Sequence, residues 1–243
     1  MASSKRRVDQ VLVERGLVES REKAQALVLA GDVLVEGRRI AKAGTAIEPE
    51  SAIEILARPR YVSRGGQKLQ AALDHFGVSV DGRICVDVGA STGGFTDCLL
   101  QYGALRVYAV DVGNGQLDWK LRNDPRVIVR ERLNARNLRP EDIGEPVTLA
   151  VCDVSFISVT QILPAIRGVL ADTGEMVILV KPQFEVGRGR VGKGGIVRDP
   201  ELHREVCQRV SAAVVELGFE TALIDSPILG AEGNKEFLLY AKH

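Results

Sequence analysis

The chain of 243 residues carries 32 basic and 32 acidic side chains, so its formal net charge is +0 at pH 7. This balance neither favours nor excludes a nucleic-acid partner, and any basic surface must be local. No apolar run approaches membrane-spanning length, and no apolar segment follows the basic start MASSKRRVDQ as in a signal peptide, so we expect a cytoplasmic protein with no membrane partner.

A chain of this length accommodates one large α/β domain and one small domain. Its four cysteines are widely spaced and it has only three histidines, so no metal site is expected. Cys85 and Cys152 lie in apolar, strand-like runs, and we interpret them as buried structural thiols.

The first 58 residues predict two helices followed by short strands. Val8, Val11 and Leu12 have helical spacing, and Ser20 is a candidate N-cap for a second helix that ends at Gly31. Short strands are predicted at 33–35 and 53–56. Basic side chains lie on or near both predicted helices: Arg6, Arg7, Arg15, Arg21 and Lys23.

These basic residues stand in a recognisable order. A charged helix face by itself is usually only a solvated face. However, the segments R-V-D-Q-V-L (7–12), S-R-E-K-A (20–24) and A-G-D-V-L-V-E-G (30–37) resemble the S4-type RNA-binding domain of ribosomal proteins and RNA-modifying enzymes. The resemblance implies that residues 1–58 form a small S4-type (α-L) domain whose basic residues bind RNA phosphates and recognise RNA shape.

A basic segment joins this domain to the rest of the chain. The stretch R-P-R-Y-V-S-R-G-G-Q-K (58–68) contains four cations and no acidic residue. Pro59 and the pair Gly65–Gly66 predict an interdomain linker, which we assign to residues 59–66. We expect its Arg60 and Arg64 to contact RNA that passes between the domains.

Residues 67–243 show alternating strand and helix patterns. Leu69 and Leu73 belong to an apolar helix stripe that Gly77 ends, and R-I-C-V-D-V (83–88) predicts a buried strand. The sequence D-P-E (199–201) predicts the start of a helix that runs to Gly218. Further buried strands are predicted at 106–111, 126–130, 147–152, 175–180, 219–225 and 236–241. The pattern predicts a doubly wound α/β domain.

The segment D-V-G-A-S-T-G-G-F-T-D (87–97) joins the first strand of this domain to a helix. Its glycines let a ligand approach the backbone, and the helix N-terminus supplies free N–H groups. A dinucleotide remains an alternative to S-adenosylmethionine here, because such short matches are weak. Asp87 suits a methionine ammonium better than a pyrophosphate, whereas Asp111 after the next strand suits ribose hydroxyls in either site. The predicted cofactor ligands are Asp87, Gly89, Ser91, Gly93, Gly94, Phe95 and Asp111.

Further motifs follow in order along the chain. They are S-R-G-x-x-K-L (63–69), D-V-G-x-G-Q-L (111–117), R-N-D-P-R-V (122–127), D-V-S-F-I-S (153–158), V-K-P-Q-F-E-V-G (180–187) and G-N-x-E (233–236). With them the chain resembles, over its whole length, the TlyA family of ribosomal RNA 2′-O-methyltransferases and, more distantly, the FtsJ-like enzymes. The resemblance implies a Rossmann-like S-adenosylmethionine-dependent methyltransferase domain over 67–243 and ribosomal RNA or a ribosomal subunit as the partner.

The resemblance also implies a catalytic tetrad of Lys68, Asp153, Lys181 and Glu236, and an adenine contact by Asn134. A ribose 2′-hydroxyl is a poor nucleophile, so it must be deprotonated or held in line with the methyl group. A second ammonium and a desolvated site both favour a neutral lysine, which makes Lys181 a candidate base or positioning group. Lys181 and Asp153 each end a predicted strand, where α/β domains place their sites. Taken singly, Lys68 and Glu236 could be surface charges.

The segment V-G-R-G-R-V-G-K-G-G-I-V-R (186–198) contains four cations, many glycines and no acidic residue. It could be a disordered surface loop. Because it follows Lys181 closely, we expect it to close over RNA, with Arg188, Arg190 and Lys193 as contacts.

Three other classes of protein are less consistent with these motifs. A non-catalytic ribosome-assembly factor has no need of the tetrad, and a nicotinamide oxidoreductase has no need of an RNA-binding domain. A pore-forming haemolysin, a name often attached to this family, needs a membrane segment that the sequence lacks, so any lysis should be indirect. The family's target is a cytidine of 23S ribosomal RNA, with a second site in 16S ribosomal RNA for longer members. Because the chain ends directly after its last predicted strand, we expect the 23S target.

Overall fold

A computed structural model describes residues 5–56, 60–230 and 233–243. The chain divides into two compact units, Met1–Pro59 and Arg60–His243. Within the described ranges, no helix is both long and apolar enough to cross a membrane.

The first unit packs two helices against short antiparallel strands. The helices are α1 (Val8–Glu14) and α2 (Arg21–Leu29), and Ser20 caps α2 by accepting a hydrogen bond from the Lys23 N–H at 3.3 Å, as the sequence predicts. The strands are β1 (Arg6–Arg7), β2 (Val33–Val35), β3 (Arg38–Arg39), β4 (Ala46–Ile47) and β5 (Ile53–Ile55). Strand β1 pairs with β4, and the other three form a sheet in the order β3-β2-β5. The apolar positions predicted on the first helix, Val8, Val11 and Leu12, are buried in this unit's core.

The second unit is built on a seven-stranded sheet in the order β11-β12-β10-β9-β6-β7-β8. The strands are β6 (Ile84–Val88), β7 (Arg106–Val110), β8 (Val127–Arg130), β9 (Val147–Cys152), β10 (Leu170–Val180), β11 (Glu220–Asp225) and β12 (Phe237–Lys242). Strands β6 to β10 pair in parallel, whereas β12 pairs antiparallel with both β10 and β11. The predicted α/β architecture is therefore confirmed, and β12 and β11 extend its parallel part at one side, with only β12 running against the other strands.

Helices flank this sheet. They are α3 (Gly65–Phe76), α4 (Gly94–Gln101), α5 (Trp119–Arg122), α6 (Pro140–Ile143), α7 (Leu163–Val169), α8 (Pro182–Glu185) and α9 (Pro200–Val215). Gly77 ends α3 at φ +67°, a left-handed conformation that glycine adopts without strain, and Asp199 caps α9 by accepting from the Glu201 N–H at 2.9 Å. These local signals place helix ends where the sequence predicts them.

Three sequence expectations differ from the structure. The segment 219–225 was predicted as a buried strand, but β11 is an edge strand with mostly exposed or half-exposed residues, because only β12 pairs with it. By contrast, the strand predicted at 236–241 is buried as expected, because β12 lies between β11 and β10. Helix α9 ends at Val215 rather than Gly218, and α3 already begins at Gly65, inside the segment predicted as a linker.

The strand order determines where a ligand can bind. Strand β6 lies between β7 and β9, so the connections run to opposite sides of the sheet from this point. In such a sheet the crevice outside the carboxyl ends of the strands is the usual binding place. The glycine-rich segment follows β6, and Asp153 and Lys181 directly follow β9 and β10 at this same edge.

Candidate active site

Two adjoining cavities lie at the carboxyl edge of the sheet, with volumes of about 560 and 420 Å³. Residues of the glycine-rich segment and of the segment after β9 line both of them: Gly89, Ser91, Asp153, Ser155 and Phe156. A ligand that filled both cavities would therefore pass over the turn at Gly89–Ser91.

The turn after β6 requires glycine at two positions. Gly89 has φ +88°, and a Cβ atom there would lie 2.6 Å from the carbonyl oxygen of Asp153. Gly93 has φ +96°, and a Cβ atom added there would overlap a methyl carbon of Leu121. Both conditions exclude a side chain without rearrangement. The glycines thus shape the turn by allowing close packing, and Gly93 itself lines neither cavity.

Asp87 lies beneath this turn and lines neither cavity. It is fully buried, and its Oδ2 atom accepts a hydrogen bond from the Thr96 hydroxyl at 2.7 Å. Its Oδ1 atom has no hydrogen-bond partner among the described residues. Burial, reinforced by the nearby charge of Asp153, raises the pKa of Asp87 to about 7. Asp87, the residue predicted to bind the methionine ammonium, therefore lies beneath the turn rather than in the wall of a cavity.

The smaller cavity contains the predicted ribose and adenine contacts. Asp111 lines it and accepts hydrogen bonds from the Ser91 N–H at 2.8 Å and the Gly113 N–H at 2.7 Å. Asn134 lines it as well, and its side chain accepts from the Arg136 N–H at 3.0 Å at the start of a short 3-10 helix. Apolar side chains such as Leu133 complete the wall. A pocket that combines apolar side chains with the Asp111 carboxylate and the Asn134 amide is suited to a nucleoside.

Lys68 and Glu236 form a buried ion pair beside the larger cavity. Lys68 lies on α3 and Glu236 directly precedes β12, and they are 8% and 2% exposed. Gly230 provides the space for the Glu236 carboxylate, since a Cβ atom added there would overlap its Oε1 atom. A buried charge needs a partner of this kind, so neither residue is the surface charge that each could have been on its own.

Lys181 and Asp153 form a second ion pair at the same cavity, with Nζ and Oδ1 2.5 Å apart. Lys181 also donates a hydrogen bond to the Ser155 hydroxyl at 2.9 Å. The two residues meet because β9 and β10 are parallel neighbours and end side by side. All four residues of the predicted tetrad therefore line one cavity.

Two aromatic rings border the cavities near this second pair. Phe156 is 91% exposed and has φ +68°, and its ring centroid lies 5.2 Å from that of Phe184. A bulky residue with positive φ is rare and indicates local strain, which clusters at functional sites. An exposed ring at the edge of a cavity can stack on a planar group.

Glu185 holds the segment that carries Ser155 and Phe156. Its carboxylate accepts hydrogen bonds from the Ser158 hydroxyl and the Val159 N–H, each at 2.7 Å. Arg209 of α9 reaches the same carboxylate at 3.2 Å. The segment after β9 is thus tied to α8 through Glu185 and to the end of β10 through Lys181.

A second segment rich in glycine, 186–198, borders the larger cavity through Val191 and Gly195. Asn234 ties it to the segment before β12, since it accepts from the Val197 N–H at 3.1 Å and donates to the Gly195 carbonyl at 3.0 Å. Of the predicted RNA contacts here, Lys193 is exposed and Arg190 is paired with Glu205 at 2.5 Å. The side chain of Arg188 lies outside the described part of the structure.

The other predicted RNA contacts lie at several places in the chain. Arg7 and Arg21 both bind Asp9, Arg6 pairs with Glu14, Arg15 donates to the Ser51 carbonyl, and Lys23 pairs with Glu19. Arg60 lies over the ring of Tyr61, and the exposed Arg64 lines the larger cavity. Gly94 and Phe95, predicted as cofactor contacts, line that cavity too.

Sequence reasoning missed Ser155, Phe156, Glu185 and Asn234 as individual residues. Each lies inside a motif that the sequence analysis quoted, so the motifs marked the right segments. Their contacts depend on segments far along the chain, which local spacing cannot show. Among the residues that the structure describes, no group of three or more His, Cys, Asp or Glu side chains is arranged to hold a metal ion.

Comparisons with known proteins agree on the two domains. The family described as FtsJ-like methyltransferase matches residues 61–243, and the S4 domain family matches residues 6–53. A Mycobacterium tuberculosis protein named 16S/23S rRNA (cytidine-2′-O)-methyltransferase TlyA is 48% identical over 97% of this chain and 89% of its own length.

Solved structures show the same fold. A Streptococcus thermophilus structure described as a hemolysin has a TM-score of 0.74 and 48% identity, and covers 99% of this chain and 90% of its own. A Listeria monocytogenes structure described as an S-adenosylmethionine-dependent methyltransferase has a TM-score of 0.54 and 15% identity, and covers 74% of this chain and 100% of its own. At that identity the second likeness concerns the fold alone.

Proposed function

The chain belongs to the FtsJ-like methyltransferase family, and we propose that it transfers a methyl group to the 2′-hydroxyl of a cytidine in ribosomal RNA. The observation that carries the proposal is the pair of lysine–carboxylate ion pairs, Lys68–Glu236 and Lys181–Asp153, at one cavity beside a glycine-rich turn. A dinucleotide-dependent oxidoreductase has no use for two such pairs beside its cofactor.

S-adenosylmethionine is the methyl donor, and when bound it supplies a methyl group on a positively charged sulfur. The residues fit this donor. The smaller cavity presents the Asp111 carboxylate for ribose hydroxyls and the Asn134 amide for the adenine ring. The turn at Gly89 leads into the larger cavity, and the unpartnered carboxylate oxygen of Asp87 beneath it supplies negative potential for a cationic ligand.

Lys181 is the residue that we assign to the target hydroxyl. An ammonium group has three N–H donors; one of them reaches the Ser155 hydroxyl, and the group also forms an ion pair with Asp153. As an ammonium, Lys181 can hold the oxygen of the 2′-hydroxyl in line with the methyl group through a remaining donor, and as a neutral amine it can take the hydroxyl proton. Lys68, held by Glu236, adds a second positive charge beside the same cavity and favours the developing alkoxide.

The first unit binds the RNA substrate. The S4 match and the half-exposed arginines Arg7 and Arg21 support phosphate contacts by this unit, and Lys193 and Arg64 support contacts near the cavity. We propose 23S ribosomal RNA as the first target and 16S ribosomal RNA as a second one to be tested. The protein would then act in the cytoplasm, where ribosomes are assembled.

The direct test uses ribosomal RNA from a strain that lacks this gene. Purified protein and labelled S-adenosylmethionine are added to the large and small subunits, and the product nucleosides are separated by mass spectrometry. We expect 2′-O-methylcytidine, and primer extension at low nucleotide concentration then gives its position. A base-methylated nucleoside, or no transfer to either subunit, would contradict the proposal. Restoration of subunit assembly without any transfer would indicate a non-catalytic assembly factor.

A further inference from the structure

A buried carboxylate in the first unit binds two arginines that come from different elements. Asp9 lies in the first turn of α1 and its side chain is 0% exposed. It accepts hydrogen bonds from Arg7 through Nε and Nη2, from Arg21 through Nε and from Gln25 through Nε2, all at 3.0 Å. One side chain thus fixes Arg7, before α1, relative to Arg21, at the start of α2.

Within the described residues, both arginines keep N–H donors that Asp9 does not engage. A guanidinium has five N–H groups, and Asp9 engages only two nitrogens of Arg7 and one of Arg21. Both side chains are nearly half exposed, at 45% and 49%. The Arg7 guanidinium holds the pKa of Asp9 well below its usual range, so the carboxylate remains charged. The cluster therefore carries one negative and two positive charges, with the positive groups facing solvent in part.

Other basic residues of the unit are held differently. Arg6 pairs with Glu14 at 2.5 Å, but both side chains are exposed, at 48% and 42%. An exposed pair of this kind fixes a side chain only weakly, because solvent screens it and both partners retain rotamer freedom. Arg7 and Arg21 differ from Arg6 in being bound to a carboxylate that water does not reach.

We propose that Asp9 is a positioning residue for RNA binding, which holds the Arg7 and Arg21 guanidiniums in a fixed arrangement that takes phosphodiester groups of RNA. The inference rests on the proposed function, since its ligand is the RNA that this unit binds. Side chains ordered before binding lose less conformational entropy when the complex forms. An acidic residue thereby increases affinity for a polyanion, although its charge opposes that polyanion.

Charge alone and positioning by Asp9 predict opposite changes in RNA affinity when Asp9 is neutralised, so a binding experiment distinguishes them. Binding of the full chain to a 23S ribosomal RNA transcript is measured for wild type, Asp9→Asn and Glu14→Gln over a series of salt concentrations. Both substitutions remove one negative charge next to an arginine, so charge alone predicts tighter binding for both. We expect Asp9→Asn to bind about tenfold more weakly, and Glu14→Gln to bind as wild type or more tightly. Equal or tighter binding by Asp9→Asn overturns the proposal.

A second comparison separates positioning from a loss of folding. In a chain that carries Arg7→Ala and Arg21→Ala, Asp9→Asn should weaken binding no further, because Asp9 acts through those arginines. A full additional loss in that background overturns the proposal. If Asp9→Asn does not fold by circular dichroism, Asp9→Glu replaces it, because it keeps the charge and displaces the carboxylate by one methylene. Wild-type affinity of Asp9→Glu would then overturn the proposal.

The outcomes also distinguish this inference from the proposed function. If the Arg7→Ala, Arg21→Ala chain binds the transcript as wild type does, the two arginines are not phosphate ligands, and the inference fails with them. Methylation by the wild-type chain is measured in parallel. Its presence leaves the proposed function intact whatever the Asp9 variants do, and its absence removes the proposed function instead.

Discussion

The Nζ atom of Lys181 lies 2.5 Å from the Oδ1 atom of Asp153, at the ends of two neighbouring parallel strands. A hydrogen bond to Ser155 at 2.9 Å fixes a second direction of the ammonium group. One donor is therefore committed to Ser155 and the ion pair with Asp153 holds the charge in place, so donor capacity remains for the cavity. This arrangement predicts that the position of Lys181, and not only its charge, matters for methyl transfer.

Replacement of Lys181 should separate chemistry from binding. We expect Lys181→Ala to lower the single-turnover rate by at least ~100-fold, the lower range for loss of a general base, with affinities for S-adenosylmethionine and RNA little changed. Lys181→Arg should not restore the rate, because a guanidinium stays protonated and cannot accept the hydroxyl proton. A near-normal rate for Lys181→Arg at saturating RNA would remove Lys181 from the catalytic residues.

The glycine turn should control donor binding. In Gly89→Val the new side chain would collide with the Asp153 carbonyl, because a Cβ atom added to Gly89 would lie 2.6 Å from its oxygen. We therefore expect calorimetry to show a large loss of S-adenosylmethionine affinity. Gly82→Ala is a matched control, since Gly82 also has positive φ but has no atom within 4 Å of an added Cβ. Tighter binding of NAD than of S-adenosylmethionine by the wild-type chain would contradict the cofactor assignment.

Asp87 should make the stability of the ligand-free protein depend on pH. Its folded-state pKa is raised from 3.8 to about 7 by burial, so its contribution to stability is present below pH 3.8 and is lost as pH rises through 7. We expect Asp87→Asn, which has no charge to bury, to raise the unfolding midpoint more at about pH 8 than at about pH 4.5. Differential scanning calorimetry at both pH values measures the effect, and an equal shift at both would count against it.

The same Asp87→Asn variant should also bind donor and product differently. The ionised carboxylate stabilises a positive ligand, and S-adenosylmethionine carries a sulfonium charge that S-adenosylhomocysteine lacks. Titration calorimetry should therefore show a greater loss of affinity for the donor than for the product. Equal losses would mean that Asp87 acts only through the shape of the turn.

Phe156 should contribute to RNA engagement without supporting the fold. Its side chain is 91% exposed, so Phe156→Ala removes little packing and should leave the unfolding midpoint unchanged. If the ring stacks on a base, the loss of about 1–3 kcal/mol of stacking free energy should lower kcat/KM for RNA by about 5- to 150-fold. Phe156→Tyr keeps a stacking ring and should retain activity. Normal kcat/KM for the alanine variant would exclude a stacking role.

The first unit should provide RNA affinity and not chemistry. A chain of residues 60–243 contains both cavities and all four tetrad residues, so it should still bind S-adenosylmethionine. We expect it to methylate ribosomal substrate far more slowly than the full chain, because the phosphate contacts of the first unit are gone. An unchanged rate in a filter-binding methylation assay would refute this division of roles.

Much of the fold follows from short-range features of the sequence. Ser20, Gly77 and Asp199 mark helix ends because a cap needs only the next few residues. The apolar run before Asp87 predicts a buried strand, and the glycines after it predict a turn at a helix start, for the same local reason. The tetrad residues were predicted from the family resemblance, because no local sequence pattern links four residues so far apart along the chain.

Other features depend on the tertiary structure. Lys68 and Glu236 are 168 residues apart and form an ion pair because the last strand enters the sheet antiparallel beside β10. Asp87 has a raised pKa because the turn and its neighbours exclude water from it, and Asp9 binds two arginines because α1 and α2 pack together. By itself the sequence determined the order of elements, the two domains and the segments that line the two cavities, since caps, turns and apolar periods act over a few residues. Only the tertiary structure decided which charges are paired, buried or left facing a cavity, because those depend on strand order and on the exclusion of water by segments distant along the chain.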